Sequence, residues 1–168
     1  IAEAYLDLDQ KFDLILDIQG DEPLISPYHI DQVIDFHIKN PDADIILPTL
    51  KVKFPESQNL IKVITNKKNE VMYLSRAKIP FEFKLNCKHF KKHLSIISFK
   101  PEALMKYSKS KQTPLEKIED IELLRAIEIG LKIKCIDLEG DSFSVDDQED
   151  YIKAKERMRT DRLFKSYK

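Results

Sequence analysis

The chain reads as an α/β domain with a mostly parallel, mixed sheet flanked by helices. Two observations predict this class. Apolar runs of strand length alternate with stretches of helical periodicity along the 168 residues, the pattern expected of βα units. In addition, the first strong apolar run, residues 12–18, ends in Gln19-Gly20-Asp21-Glu22-Pro23. That places an acidic turn beyond the carboxyl end of a strand, where open α/β sheets bind ligands.

The elements follow in order. Residues 1–6 open the chain as a helix, and residues 12–18 form a buried strand. Ile30, Val33, Ile34 and Ile38 at helical spacing predict a helix over 29–39. A second buried strand is expected over 44–50, ending at Pro48 or soon after. Residues 60–65 and 70–75 read as paired strands around the turn Asn66-Lys67-Lys68-Asn69. Residues 94–99 form a further strand, followed by a short helix opening at Pro101, since Pro suits a first helical turn. Thr113-Pro114-Leu115-Glu116 carries a capping box and starts a helix running to about residue 129. Its apolar stripe is Leu115, Ile118, Ile121, Leu124 and Ile127, with Glu116, Glu119 and Glu122 on a polar face. Residues 131–138 form the next strand and residues 147–162 a charged final helix. A doubly wound fold normally begins with a strand and its phosphate-binding turn, so a chain opening on a helix is expected to be truncated at its front.

Composition narrows the classes. Hydrophobic residues make up 42% and charged residues 34% of the chain, as in a folded globular domain. The length suits one domain, residues 1–168. A net charge of −1 argues against a duplex-binding face, which needs a basic excess. The longest apolar runs fall far short of the roughly 20 residues of a membrane helix. Cys87 and Cys135 match no metal-ligand spacing and fit a reducing cytoplasm. His29, His37, His89 and His93 make no zinc motif, and no glycine-rich phosphate loop is present.

Two carboxylates stand out. Asp21 follows the first strand, and Asp146 lies just before the last helix, where Asp147 suffices as the cap. Carboxylates delivered by two loops to one sheet edge suit Mg²⁺ bound to a nucleotide triphosphate. Arg76, in Ser75-Arg76-Ala77-Lys78-Ile79-Pro80, offers a planar fork for carboxylate or phosphate at a strand end. His93 stands ahead of a strand and Glu122 on a helix; each, taken alone, fits a surface or packing role.

Together these motifs resemble one family. Gln19-Gly20-Asp21-Glu22-Pro23, Leu74-Ser75-Arg76-Ala77-Lys78-Ile79-Pro80, Lys92-His93, Thr113-Pro114-Leu115-Glu116-Lys117-Ile118-Glu119 with Leu124-Arg125, and Val145-Asp146 occur in the order found in the 3-deoxy-manno-octulosonate (Kdo) cytidylyltransferases, or CMP-Kdo synthetases. The resemblance implies a nucleotide-diphospho-sugar transferase fold, of which this chain represents the C-terminal two-thirds, and a homodimer. It implies joining of CTP to Kdo or a related ulosonic acid, with release of pyrophosphate, for lipopolysaccharide or surface polysaccharide synthesis. It assigns Asp21 and Asp146 to Mg²⁺, and Gln19, Gly20, Arg76, His93 and Glu122 to the substrate, with Arg76 serving the sugar carboxylate and catalysis. Two positions depart from the family pattern: His-x-Gly-x-Tyr reads His93-Leu94-Ser95-Ile96-Ile97, and Glu-Gln reads Glu122-Leu123. Lost hydroxyl and amide groups change ligand selection, so a related amino sugar is an alternative substrate. The same motifs leave open a CMP-sialic-type acid synthetase, and a non-catalytic remnant or partner subunit that keeps the fold.

Overall fold

The computed structural model describes residues 1–53 and 57–166. In chain order the elements are α1 (Ala2–Leu6), β1 (Ile15–Ile18), α2 (Pro27–Lys39), β2 (Ile45–Val52), β3 (Lys62–Thr65), β4 (Val71–Ser75), β5 (Phe90–His93), β6 (Ile96–Phe99), α3 (Pro101–Lys109), α4 (Pro114–Glu119), α5 (Leu123–Glu128), β7 (Ile133–Leu138), α6 (Gln148–Thr160) and α7 (Arg162–Ser166).

The seven strands join in one sheet built around β2. Its first half pairs with β6 (Ile45↔Phe99, Ile46↔Ser98) and its second half with β5 (Thr49↔His93 to Val52↔Phe90). β5 and β6 therefore form one ribbon along the same side of β2. On the ribbon's far side β1 pairs with β6 and β3 pairs with β5, and β4 lies outside β3. β7 covers the other side of β2.

The mostly parallel sheet expected from the sequence is corrected here: among the described residues only β2·β7 is a parallel pairing, and the other strand pairs are antiparallel. The expectation came from α2, which joins β1 to β2 as a crossover helix should. The β5–β6 ribbon, however, runs the opposite way and is wedged between those two strands, so β1 and β2 share a direction without touching.

Pro48 lies inside β2 rather than ending it. Its carbonyl accepts from Leu94 N (3.1 Å), so its missing N–H faces the ribbon as well. There the ladder is interrupted: Leu47 and Pro48 span the gap opposite the four residues Leu94, Ser95, Ile96 and Ile97. A proline cannot donate to a ladder, and a bulge is where a sheet tolerates one.

β2 shows the period of a doubly covered strand. Ile45 and Leu47 face one core layer with Phe99, Leu104, Leu124 and Ile133, while Ile46 and Leu50 face the other with Val33, Leu94 and Ile96. α2 docks on the second layer, where His37 Nδ1 and Ser98 Oγ are hydrogen-bonded at 2.8 Å.

The single helix expected over 113–129 is corrected to two short ones, α4 and α5. Asp120 between them adopts φ 53°, a left-handed conformation that Asp tolerates better than most residues. The break turns Ile118 outward, 78% exposed, while Ile121 and Leu124 stay buried. The expected polar face is corrected too. Glu116 is buried and paired with Arg125, and Glu119 accepts from Ser75 Oγ (2.7 Å) and Arg76 N (3.0 Å). No helix among the described residues is long and apolar enough to cross a membrane.

Candidate active site at the sheet fork

The bulge in the ribbon opens the site. β1 leaves β6 at Gln19, whose N–H donates to Ser95 O (3.1 Å), and β3 joins β5 at Ile61, whose carbonyl accepts from His93 N (2.9 Å). Because β1 and β3 lie end to end along the ribbon and do not meet, a fork is left between them. A cavity of about 800 Å³ occupies this fork, bounded by the Gln19–Glu22 turn, the Asn59–Ile61 segment, α3, the α4–α5 corner and the β7–α6 loop. This volume suits a small-molecule site.

The cavity gathers most of the candidate residues. Gln19, Asp21, Arg76, His93, Glu122 and Asp146 all line it. Gly20 does not, although a Cβ at Gly20 would meet nothing within 4 Å. Its φ is not among the positive ones, so the turn does not need glycine for left-handed geometry.

Asp21 and Asp146 are 125 positions apart in sequence and come from different loops. The link between them is a backbone hydrogen bond from Val145 N to Asp21 O (2.8 Å), and Ser144 Oγ donates to Asp146 Oδ2 (3.0 Å). Among the described residues no group of three or more His, Cys, Asp and Glu could hold a metal ion unaided. Two carboxylates at one cavity fit Mg²⁺ nonetheless, because that ion keeps water and phosphate oxygens as its other ligands.

Arg76 makes three backbone contacts. Nε donates to Glu119 O (2.9 Å), Nη1 to Gln58 O (3.2 Å) and Nη2 to Asp120 O (3.0 Å). At most two of its five N–H groups remain for a ligand. His93 presents an Nε2 that is buried without a partner, and burial pushes its imidazole down to about 4. It is therefore neutral at pH 7, and among the described residues Nε2 has no partner.

Three further lining residues are not among the predicted site residues, although Glu22 and Lys92 fall within the Gln19–Pro23 and Lys92-His93 motifs. Glu22 is 4% exposed and accepts from Ser95 Oγ (2.8 Å), Ser95 N (3.3 Å) and Ser142 Oγ. Lys92, 5% exposed, donates to Ser142 O (2.8 Å). Asp17 lies on β1 in the cavity wall, where burial pushes its carboxyl up. The available signal was strand alternation, which puts Asp17 and Gln19 on the same face of one strand.

The fork in this mixed sheet thus brings two loop carboxylates, an arginine and a neutral histidine to one cavity. The family model described as cytidylyltransferase matches residues 2–133. A 3-deoxy-manno-octulosonate cytidylyltransferase of Trichlorobacter lovleyi is 34% identical, with the match covering 95% of this chain and 68% of that protein. The enzyme of Fusobacterium nucleatum is 37% identical over 83% of this chain and 58% of its own length. The mitochondrial one of Arabidopsis thaliana is 35% identical over 94% and 56%. The chain belongs to the cytidylyltransferase family, within it to the 3-deoxy-manno-octulosonate cytidylyltransferases. It spans 56% to 68% of the length of these curated relatives.

Two solved structures share the fold. A CMP:2-keto-3-deoxy-manno-octonic acid synthetase complexed with CTP superposes with a TM-score of 0.87 at 22% identity, covering 95% of this chain and 66% of that one. HddC from Yersinia pseudotuberculosis, complexed with GMP-PN, gives 0.59 at 13% identity over 93% and 59%.

Proposed function

We propose that this chain carries the metal and sugar-binding part of a cytidylyltransferase that joins CTP to Kdo or a related ulosonic acid. The observation that carries the reading is the pairing of Asp21 with Asp146 at one cavity, tied by the Val145–Asp21 backbone bond. Membership of the family and the CTP named for the solved relative support the nucleotide assignment. In this reading the anomeric hydroxyl of the sugar attacks the α-phosphorus of CTP. The new O–Pα bond forms as the bond from Pα to the bridging oxygen breaks, releasing pyrophosphate and a proton. Mg²⁺, held by Asp21 and Asp146, would neutralise charge developing on the phosphates. The residues themselves position the reactants. Gln19 and Glu122 stand at the sugar, Arg76 offers its remaining N–H groups to the sugar carboxylate, and the neutral His93 offers Nε2. A cytoplasmic location belongs to the same proposal and rests on the free thiols Cys87 and Cys135. A homodimer does too. Phe81, Phe83 and Leu85 are each more than 80% exposed on the loop between β4 and β5, apolar surface that a partner copy would cover.

The test is pyrophosphate release from CTP and Mg²⁺ with a panel of ulosonic acids, with Asp21→Asn as the control. Release with one acid, lost in the control, is the expected result and names the substrate. Silence across the panel from folded protein rejects catalysis by this chain and leaves ligand binding as its role.

A further inference from the structure

Asp146 sits on a segment, residues 139–147, that contains no helix or strand and follows β7. Three contacts fasten this loop to the fork: Ser142 Oγ to Glu22 Oε2, Lys92 Nζ to Ser142 O (2.8 Å) and Val145 N to Asp21 O (2.8 Å). Two of the three act on Ser142, and both come from buried charged side chains. Among the described residues no cation lies within ion-pair distance of Glu22. A buried carboxylate without a paired charge is costly, and this one is satisfied only by hydroxyls and an amide. Its two oxygens face different parts of the fold. One holds Ser95 at the ribbon bulge and the other holds Ser142 on the loop.

We propose that Glu22 is a positioning residue that acts through Ser142 to fix Asp146 beside Asp21, and so sets the affinity of the divalent-cation site. The inference rests on the reading of Asp21 and Asp146 given above. Three of the roughly four lone-pair sites of the Glu22 carboxylate are already taken by Ser95 and Ser142. Ser142 is half-buried, so removing its hydroxyl opens no large core cavity. The loop loses its link to Glu22 while Lys92 still holds the Ser142 carbonyl. Partners that orient a metal ligand are worth about 10- to 100-fold in metal affinity.

The experiment measures Mn²⁺ binding to the full chain in the presence of CTP, by electron paramagnetic resonance, with thermal midpoints recorded alongside. Ser142→Ala is expected to weaken Mn²⁺ binding about tenfold with a lowered midpoint, because one oxygen of the buried Glu22 loses its donor, and Ser142→Thr to restore both. Asp146→Asn abolishes binding and reports on the site itself. If Ser142→Ala binds Mn²⁺ like the wild type while Asp146→Asn does not, the site stands and the positioning role falls. Equal loss in Ser142→Ala and Ser142→Thr overturns it as well, because the hydroxyl would then not be the acting group. Wild-type binding that survives Asp146→Asn, or no binding at all, removes the site and the positioning role together.

Discussion

Glu116 and Arg125 show how much can rest on one pair of side chains. Glu116 is 2% exposed and receives Arg125 Nε (2.8 Å) and Nη2 (2.5 Å), as well as Thr113 N (3.2 Å). The Arg125 guanidinium also lies 4.5 Å from the centre of the Tyr107 ring, in the cavity wall. Glu116→Ala leaves a mostly buried cation without its partner and should cost about 3 kcal/mol, read from urea denaturation. The hydrogen bond from Arg125 is the main reason the Glu116 carboxyl is held below its ordinary value. The stability this contributes is complete above the unfolded carboxylate value and is lost as pH falls through the lower folded one. The variant should accordingly lose less stability than the wild type on acidification. His93 works in a different window. Its imidazole is pushed down to about 4 from an ordinary 6.5, so between those values the unfolded chain binds more protons, and stability rises with pH and is lost as pH falls from 6.5 towards 4. His93→Gln should flatten that slope in denaturation curves taken from pH 6.5 to 4; an unchanged slope would show that His93 is not the titrating group.

At the scale of elements, the α4–α5 corner depends on Arg76, which reaches it from the end of β4 and donates to the carbonyls of Glu119 and Asp120. Arg76→Lys replaces a planar fork, whose separate nitrogens reach the Gln58, Glu119 and Asp120 carbonyls, by a single point donor. It should cost about 2 kcal/mol in stability, measured by thermal denaturation without ligand. If stability is unchanged while sugar binding is lost, Arg76 serves the ligand alone. This corner also marks where periodicity misleads. The stripe from Leu115 to Ile127 is continuous in sequence, and nothing local announces that Asp120 turns left-handed, because the cause is an arginine 44 residues earlier. β5 was hidden for a related reason. Phe90-Lys91-Lys92-His93 looks too basic for a strand inside a sheet, yet Phe90 and Lys92 both point inward. Lys92 does so because the Ser142 carbonyl is there to accept its hydrogen bond. Where the determinants are local, sequence and structure agree. The Asn66–Asn69 turn closes through Asn66 Oδ1, which accepts from Lys68 N (2.8 Å) and Glu70 N (3.0 Å), and Asn69 takes the positive φ.

For the molecule as a whole, sheet direction was the least legible property, since strand order depends on long-range pairing that α2 alone cannot reveal. Pro48, which looked like the end of a strand, instead lies opposite the bulge that lets β1 and β3 diverge and so opens the cavity. The cavity is walled by segments from across the chain: α1, the turn after β1, the strand entry before β3, Arg76 after β4, the β5–β6 ribbon, α3, the α4–α5 corner and the loop before α6. Few of these segments are fastened to one another, apart from links such as Val145–Asp21, Arg76–Glu119 and Tyr107–Glu122. A ligand that bridges them ties the fork together and stabilises the folded state by mass action. CTP at about 100 times its dissociation constant should add about 2.7 kcal/mol. In a chain of this length that raises the thermal midpoint by about 5 to 10 °C. With EDTA in place of Mg²⁺ most of that rise should disappear, because two aspartates facing the triphosphate repel it when no cation lies between them. Differential scanning fluorimetry decides the matter: a rise that persists in EDTA would show that the fork binds the nucleotide without Asp21 and Asp146 acting through a metal, and no rise in either condition would show that the fork does not take CTP.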